Sequence, residues 1–309
     1  MFWINVTMLH LTFRQLRIFE SVARLLSYSR AAEELHLSQP AVSMQIKQLE
    51  ENVGMALFEQ IGKKIHLTEA GHQVYRYSNN IARQMKLAEE ALEDLKGLRR
   101  GRLNIAMVST AKYFTPRLLG EFSGHHPGME LKLTANNREL VIRELAEYET
   151  DLAIMGRPPD DINVIAEPFA EHPLAVIAAP DHPLAGKRRI KLARVAEETF
   201  LMREPGSGTR QNLEKLFADN QLALKAGMEM SSNETIKQAV MAKLGVSFLS
   251  LHTIGIELHA GRLVILDIVG LPIVRHWYVV HRKDKRLSPL AQEFRTFLLR
   301  DAAKILNVE

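Results

Sequence analysis

Apolar positions divide the chain into three regions. Between residues 11 and 67 they recur at short helical spacing. Phe13, Leu16, Phe19 and Val22 follow a three-residue step, with Leu26 four further on, which predicts one buried helical face. Ser27 is placed to cap a second helix, SYSRAAEEL, with Ala31, Ala32 and Leu35 inward. After a short turn at His36-Leu37, Ser38 caps a third helix with Pro40 in its first turn, where a missing N–H costs little. That helix runs through Ala41, Val42, Ile46 and Leu49 and stops near Gly54. IGKKIHLT then reads as a two-stranded turn with Lys63 and Lys64 at its tip.

Residues 68–98 hold no proline and predict one helix roughly 45 Å long. Val74, Ile81, Ala88 and Leu95 fall on one heptad position, and Ser78, Met85 and Leu92 on the other. So narrow a stripe suits pairing with a second copy of the chain; packing on its own domain is the alternative. GLRRGR (97–102) ends the helix with a glycine and a basic hinge.

The third region, 99–309, alternates strands with helices. Strands are expected at LNIAMV (103–108), MELKLTA (129–135), DLAIM (151–155), PLAVIAA (173–179), TFLM (199–202), AGMEMSS (226–232), GVSFLS (245–250), RLVILDI (262–268) and IVRHWYVVH (273–281). Helices are expected from Thr115-Pro116, Asn137, about Thr209, Asn233 and about Ser288. This rhythm predicts two α/β lobes with a cleft between them, about 103–167 plus 269–309 and about 168–268.

At 309 residues the chain has room for about two domains of ~150 residues each. It has no cysteine, which excludes disulfides, thiolate zinc sites and a cysteine nucleophile. No run of about 18 apolar residues without charge suggests a membrane span. Residues 1–10 read as an extension without an export signal, Met8 being an alternative start, and a cytoplasmic location is expected. The net charge, 40 − 36 = +4, allows nucleic-acid binding without demanding it.

The pair of helices at 27–49 carries the first functional pattern. Gln39, Ser43, Gln45 and Lys47 are read as an exposed face just past a cap, while Val42, Ile46 and Leu49 face inward. Gln pairs with adenine edges and Lys with phosphate or guanine. Ser29, Arg30, Ser38 and Pro40 flank that face, and Lys63 and Lys64 follow on the turn. A helical hairpin used only for packing is the plain alternative.

The second pattern lies at strand-to-helix junctions, where open α/β sheets bind ligands. In REPGSGTR (203–210), Gly206 and Gly208 turn backbone N–H groups outward, Ser207 and Thr209 add hydroxyls, and Arg203 and Arg210 add charge. Ser109-Thr110, Asn137-Arg138, Gly156-Arg157 and Ser232-Asn233-Glu234 occupy equivalent junctions, with Ser231 and Glu234 readable as a capping box. Helix capping alone explains any single pair. The arginines together suggest a phosphorylated or carboxylated metabolite. His125-His126 and HRKDKR (281–286) read as solvated turns, and His252 and His259 as sharing a helix face without metal-ligand spacing. No catalytic motif is visible, so no enzyme is expected.

AAEELHLSQPAVSMQIKQLEENVGMALFEQIGKKIHLTEAG (31–71) closely resembles the winged helix–turn–helix of LysR-type transcriptional regulators, with AAEEL, SQPAVS, QLE, LF and LTEAG in register. The resemblance covers nearly the whole chain from about Leu11. It implies a DNA-binding domain (11–67), a dimerising linker helix (68–98) and an effector domain (99–309) like the type 2 periplasmic binding proteins. It further implies promoter DNA as partner, a homotetramer, contact with RNA polymerase, and a small-molecule effector rather than a cofactor. Many members carry Arg where this chain has Gln60. STAKYFTPRLL, YETDLAIMGRPP, EPGSGTR, EMSSNETIKQAVMAKLGVSFLSLHT and GLPIVRHWYVVHRKDKRLSP resemble regulators of the RuBisCO operon, the CbbR type. That narrower resemblance implies control of carbon-fixation genes. The effectors it implies are ribulose 1,5-bisphosphate, other Calvin-cycle sugar phosphates, phosphoenolpyruvate, 2-phosphoglycolate, NADPH and ATP. A LysR-type regulator of another operon, or a solute-binding protein on the two-lobed fold, are the rival readings.

Overall fold

A computed structural model describes residues 11–62, 64–95 and 101–306. The extension, Lys63 and the hinge residues 96–100 lie outside the described residues. The chain forms two units, Met1–Leu98 and Arg99–Glu309.

In the first unit, α1 (Phe13–Leu25) starts at a capping box: Thr12 Oγ1 accepts from the Gln15 N–H at 3.2 Å, and Gln15 Oε1 accepts from the Thr12 N–H at 3.0 Å. Leu16, Phe19 and Val22 are buried as expected, but Phe13 is 57% exposed and Leu26 47%. The reason is geometric. A three-residue step falls about 60° short of a turn each time, so Phe13 and Val22 lie on opposite sides of the helix. Ile18 and Ala23 complete the buried face, and Leu26 ends the helix in the left-handed region at φ 47°. α2 (Tyr28–Glu34) and α3 (Gln39–Val53) are capped by Ser27 and Ser38, and Gly54 stops α3 at φ 74°. β1 (Phe58–Ile61) and β2 (Lys64–Leu67) form the antiparallel wing.

Three motif residues join the wing to its neighbours. Glu50 Oε1 accepts from the N–H groups of Leu57 at 2.7 Å and Phe58 at 3.2 Å. Thr68 Oγ1 donates to the Ala56 carbonyl at 2.8 Å and accepts from the Gly71 N–H at 3.0 Å. Gly71, in α4 (Glu69–Leu95), lets the backbone approach so closely that a Cβ there would stand 2.1 Å from the Leu57 carbonyl oxygen.

The stripe along α4 has two fates. Val74 packs on the domain's own core and Ser78 is buried, which corrects its placement on a pairing seam. Ile81, Met85, Ala88 and Leu92 are exposed, and the Leu95 side chain lies outside the described residues.

The second unit is the predicted two-lobed α/β fold. Its elements run β3 (Arg102–Val108), α5 (Thr115–Ser123), β4 (Glu130–Asn136), α6 (Arg138–Ala146), β5 (Leu152–Met155), β6 (Val164–Ala178), α7 (Leu192–Val195), β7 (Phe200–Arg203), α8 (Gly208–Asp219), β8 (Ala226–Met230), α9 (Asn233–Met241), β9 (Ser247–Ser250), α10 (Gly255–His259), β10 (Val264–Ile265), β11 (Ile273–Arg282) and α11 (Pro289–Leu306). One sheet has the order β10-β6-β11-β5-β3-β4, with β9 also on β6, and β7 pairs β8 separately. RLVILDI gives only the two-residue β10; Leu263, Leu266 and Ile268 instead turn into the core.

β6 and β11 pair antiparallel and run through both lobes. Phe169, Ala170 and Trp277 belong to the core of β3, β5, α5 and α11. Leu174 and Ile273 already pack with Phe200, Phe217 and Phe248 in the second lobe. The change of lobe therefore falls inside these strands, around 171–173 and 274–276.

Candidate functional site

In the first unit the candidate DNA-reading residues lie on α2, α3 and the wing. Ser29, Arg30, Ser38, Gln39, Pro40, Lys47 and Lys64 are exposed. Gln39 Nε2 donates to Ser43 Oγ at 3.0 Å, so these two share a flank one turn apart. Gln45 does not share it: two residues along a regular helix turn it about 200° from Ser43. Met44, 61% exposed, sits nearer the middle of the outward face and was missed because apolar residues are assigned inward by default. Gln60 donates to the Gly62 carbonyl at 3.1 Å, which tightens the wing turn.

In the second unit a cavity opens between the lobes, with about 430 Å³ of empty space when its mouth to solvent is included. Ser109, Thr110, Asn137, Arg138, Gly156, Arg157, Arg203, Ser207, Gly208 and Thr209 line it, as the strand-end rule predicts. Val108, His172, Asn212 and Trp277 also line it and were missed. His172 and Trp277 sit inside long strands rather than at junctions, so no local signal marks them.

Backbone at helix starts supplies the polar wall. Asn137 caps α6 by accepting from the Leu140 N–H at 2.9 Å. Ser207 precedes α8 in extended conformation without capping it through its hydroxyl. Gly206 turns the preceding loop at φ 81°, where a Cβ would come 2.9 Å from Glu139 Oε2. The free N–H groups and partial positive charge of such helix starts favour anions.

The four arginines have different tasks. Arg203 is 3% exposed and already paired: Nε and Nη2 donate to the Glu204 carboxylate at 2.7 and 2.9 Å, Nη1 to Asn233 Oδ1 at 2.5 Å, and Nη2 to Ser109 Oγ at 3.1 Å. Arg210 does not line the cavity; it binds Glu214 at 2.7 Å and Glu229 at 2.6 Å. Arg157 is exposed and pairs with Asp160 at 2.7 Å. Arg138 differs. It donates to the Pro158 carbonyl at 3.2 Å, its buried Nε has no partner, and it forms no ion pair among the described residues. Burial, then the charge of Arg157, pulls its pKa below the usual guanidinium value. An anion in the cavity would reverse that penalty.

Ser232, Asn233 and Glu234 stand outside the lining. Ser232, not Ser231, caps α9, accepting from the Thr235 N–H at 3.5 Å. Glu234 joins the lobes instead: Tyr113 Oη of the first lobe donates to it at 2.6 Å, and Lys237 Nζ pairs with it at 3.0 Å and with Glu257 at 2.8 Å. Burial, then the bond to Glu234, raises the Tyr113 pKa. Three sequence expectations fail. His252 lies in a 3-10 turn and His259 in α10, so they share no helix face. In HRKDKR, His281 and Lys285 are buried, Lys285 donating to the Thr150 carbonyl at 2.8 Å and pairing with Asp151. His126 stacks on Phe122, with centroids 4.1 Å apart, rather than standing free on its turn.

A winged helix–turn–helix, a long linker helix and a two-lobed effector unit together define a ligand-responsive DNA-binding regulator. The family model for the bacterial regulatory helix-turn-helix protein, lysR family, matches residues 13–72, and that for the LysR substrate binding domain matches 96–303. The chain belongs to the LysR family and is a transcriptional regulator rather than an enzyme. It is 54% identical to the RuBisCO operon transcriptional regulator of Allochromatium vinosum, over 96% of this chain and 98% of that one. It is 48% identical to the HTH-type transcriptional regulator CfxR of Cupriavidus necator, over 97% and 94%. The regulatory domain of Synechocystis PCC6803 CcmR, solved in complex with 2-PG, is 44% identical and superposes with a TM-score of 0.63, covering 64% of this chain and 96% of that one. Among the described residues no helix is long and apolar enough to cross a membrane.

Proposed function

We propose that this regulator controls a RuBisCO operon in response to a small phosphorylated metabolite held between the lobes. The observation that carries the effector half is Arg138, a half-buried cation without an ion pair among the described residues, beside the starts of α6 and α8. The similarity to named RuBisCO-operon regulators supports the target. Among the candidate effectors, the 2-PG complex of the similar CcmR regulatory domain favours 2-phosphoglycolate.

On the DNA side, Gln39 and Ser43 read base edges in the major groove, with Lys47 beside them, while Ser29, Arg30, Ser38 and Lys64 meet phosphates. The exposed Ile81, Met85, Ala88 and Leu92 pair with a second copy, and two dimers join as a homotetramer in the cytoplasm. Ligand binding shifts the balance between subunit packings and so the access of RNA polymerase; it does so only through unequal affinity for the two.

A mobility-shift titration of the protein's own RuBisCO promoter tests this, with and without each candidate effector. Specific binding altered by a phosphorylated compound is the expected result. Specific binding to other promoters alone would discard the carbon-fixation assignment. Gln39→Ala should weaken specific binding more than nonspecific binding, and equal loss on both would remove its role as a base reader.

A further inference from the structure

One wall of the cavity carries a polar group that neither lobe satisfies. His172, on β6, is 6% exposed and lines the cavity, and neither ring nitrogen has a hydrogen-bond partner among the described residues. Trp277, on β11, stacks on it with centroids 3.9 Å apart and planes 20° apart, and its Nε1 is also unpartnered. Gly156, at the end of β5, keeps the approach open: a Cβ there would stand 2.8 Å from His172 Nδ1. Buried polar groups are nearly always hydrogen-bonded, so an imidazole left without a partner on a cavity wall marks where a ligand atom belongs.

The charged groups around His172 are cationic. Arg138, Arg157 and Arg203 share its cavity, no carboxylate does among the described residues, and His252 lies 6.4 Å away ring to ring. Arg275, its register partner on β11, is exposed. Burial, reinforced by His252, pushes the His172 pKa down to about 3, so the ring keeps one N–H donor and one lone pair at neutral pH.

We propose that His172 reads the second end of the effector: its ring bonds a carboxylate or hydroxyl oxygen while the phosphate sits at Arg138 and the starts of α6 and α8. This rests on the phosphorylated-effector reading above and adds what it lacks, a reason to prefer bifunctional compounds over phosphate alone. His172 is then a specificity residue, and an effector with an apolar second end leaves its nitrogens unpaired.

Calorimetric titration of the full-length protein tests the assignment, using inorganic phosphate, ethyl phosphate, 2-hydroxyethyl phosphate and 2-phosphoglycolate. Wild type should prefer 2-phosphoglycolate or 2-hydroxyethyl phosphate over ethyl phosphate by about tenfold or more, and the better of the two identifies the oxygen. His172→Phe should erase that preference and leave inorganic phosphate binding unchanged, which also reports a folded cavity. His172→Gln, which keeps a donor and an acceptor, should restore part of the preference. A preference intact in His172→Phe, or ethyl phosphate bound by wild type as well as 2-phosphoglycolate, overturns the role of His172 alone. Wild type binding none of the four overturns the phosphorylated-effector reading and this inference with it.

Discussion

Replacing His172 by Phe should flatten the acid limb of the stability curve. Phe keeps a ring to stack on Trp277 and cannot titrate. In the wild type the folded pKa lies at about 3, against 6.5 for an unperturbed imidazole. Below pH 6.5 the unfolded chain binds a proton that the folded chain refuses until about pH 3. The stabilisation is therefore complete above pH 6.5 and is lost as the pH falls from 6.5 toward 3, by about 1.4 kcal/mol per unit. At pH 5 the loss amounts to about 2 kcal/mol. For a unit of this size that is a drop of about 4–8 °C in Tm, at roughly 2–4 °C per kcal/mol. The assay is thermal and urea unfolding of both proteins at pH 7.5, 6.5, 5.5 and 5.0. His252 and His281, also shifted downward mainly by burial, titrate in both proteins and cancel in the difference. Stability losses that run parallel in wild type and variant between pH 7.5 and 5 would refute the reasoning.

Two further outcomes follow from the first unit. Gly71→Ala places a Cβ 2.1 Å from a backbone oxygen, which must yield by about 1 Å; overpacking of this kind costs about 1–3 kcal/mol, read as a lower Tm together with weaker specific promoter binding. Ile81→Glu with Met85→Glu should shift the protein toward monomer in sedimentation equilibrium, and an unchanged association state would show that this stripe is not the seam.

The cavity shows how far pattern reading carries. Ser109, Asn137, Gly156 and Ser207 were legible because a strand followed by a helix start is a local event, and such starts line up at one end of a parallel sheet. Arg203 and Arg210 were legible as charges but not as spent ones. Their carboxylate partners are Glu204 for the first and Glu214 and Glu229 for the second; only the pairing of β7 with β8 sets Glu229 against Arg210. Gln45 and Phe13 were misplaced for a simpler reason. Spacings of two and three residues drift around a helix of 3.6 residues per turn, and the drift accumulates.

Local patterns, in the end, carried what depends on neighbours in sequence. Caps at Ser27, Ser38 and Asn137, the unbroken helix after Glu69 and the alternation of strands and helices each follow from residues close in sequence. Their order already defined a winged helix–turn–helix, a linker helix and two α/β lobes. Tertiary structure decided which groups are left unsatisfied. His172 lies between Pro168 and Pro173, just ahead of the strand expected at 173–179, where nothing in the local pattern marks it. It becomes a buried, unpartnered imidazole only when β11 sets Trp277 beneath it and β5 ends in Gly156 beside it. Burial and partner count are sums over distant segments, and no local spacing encodes them.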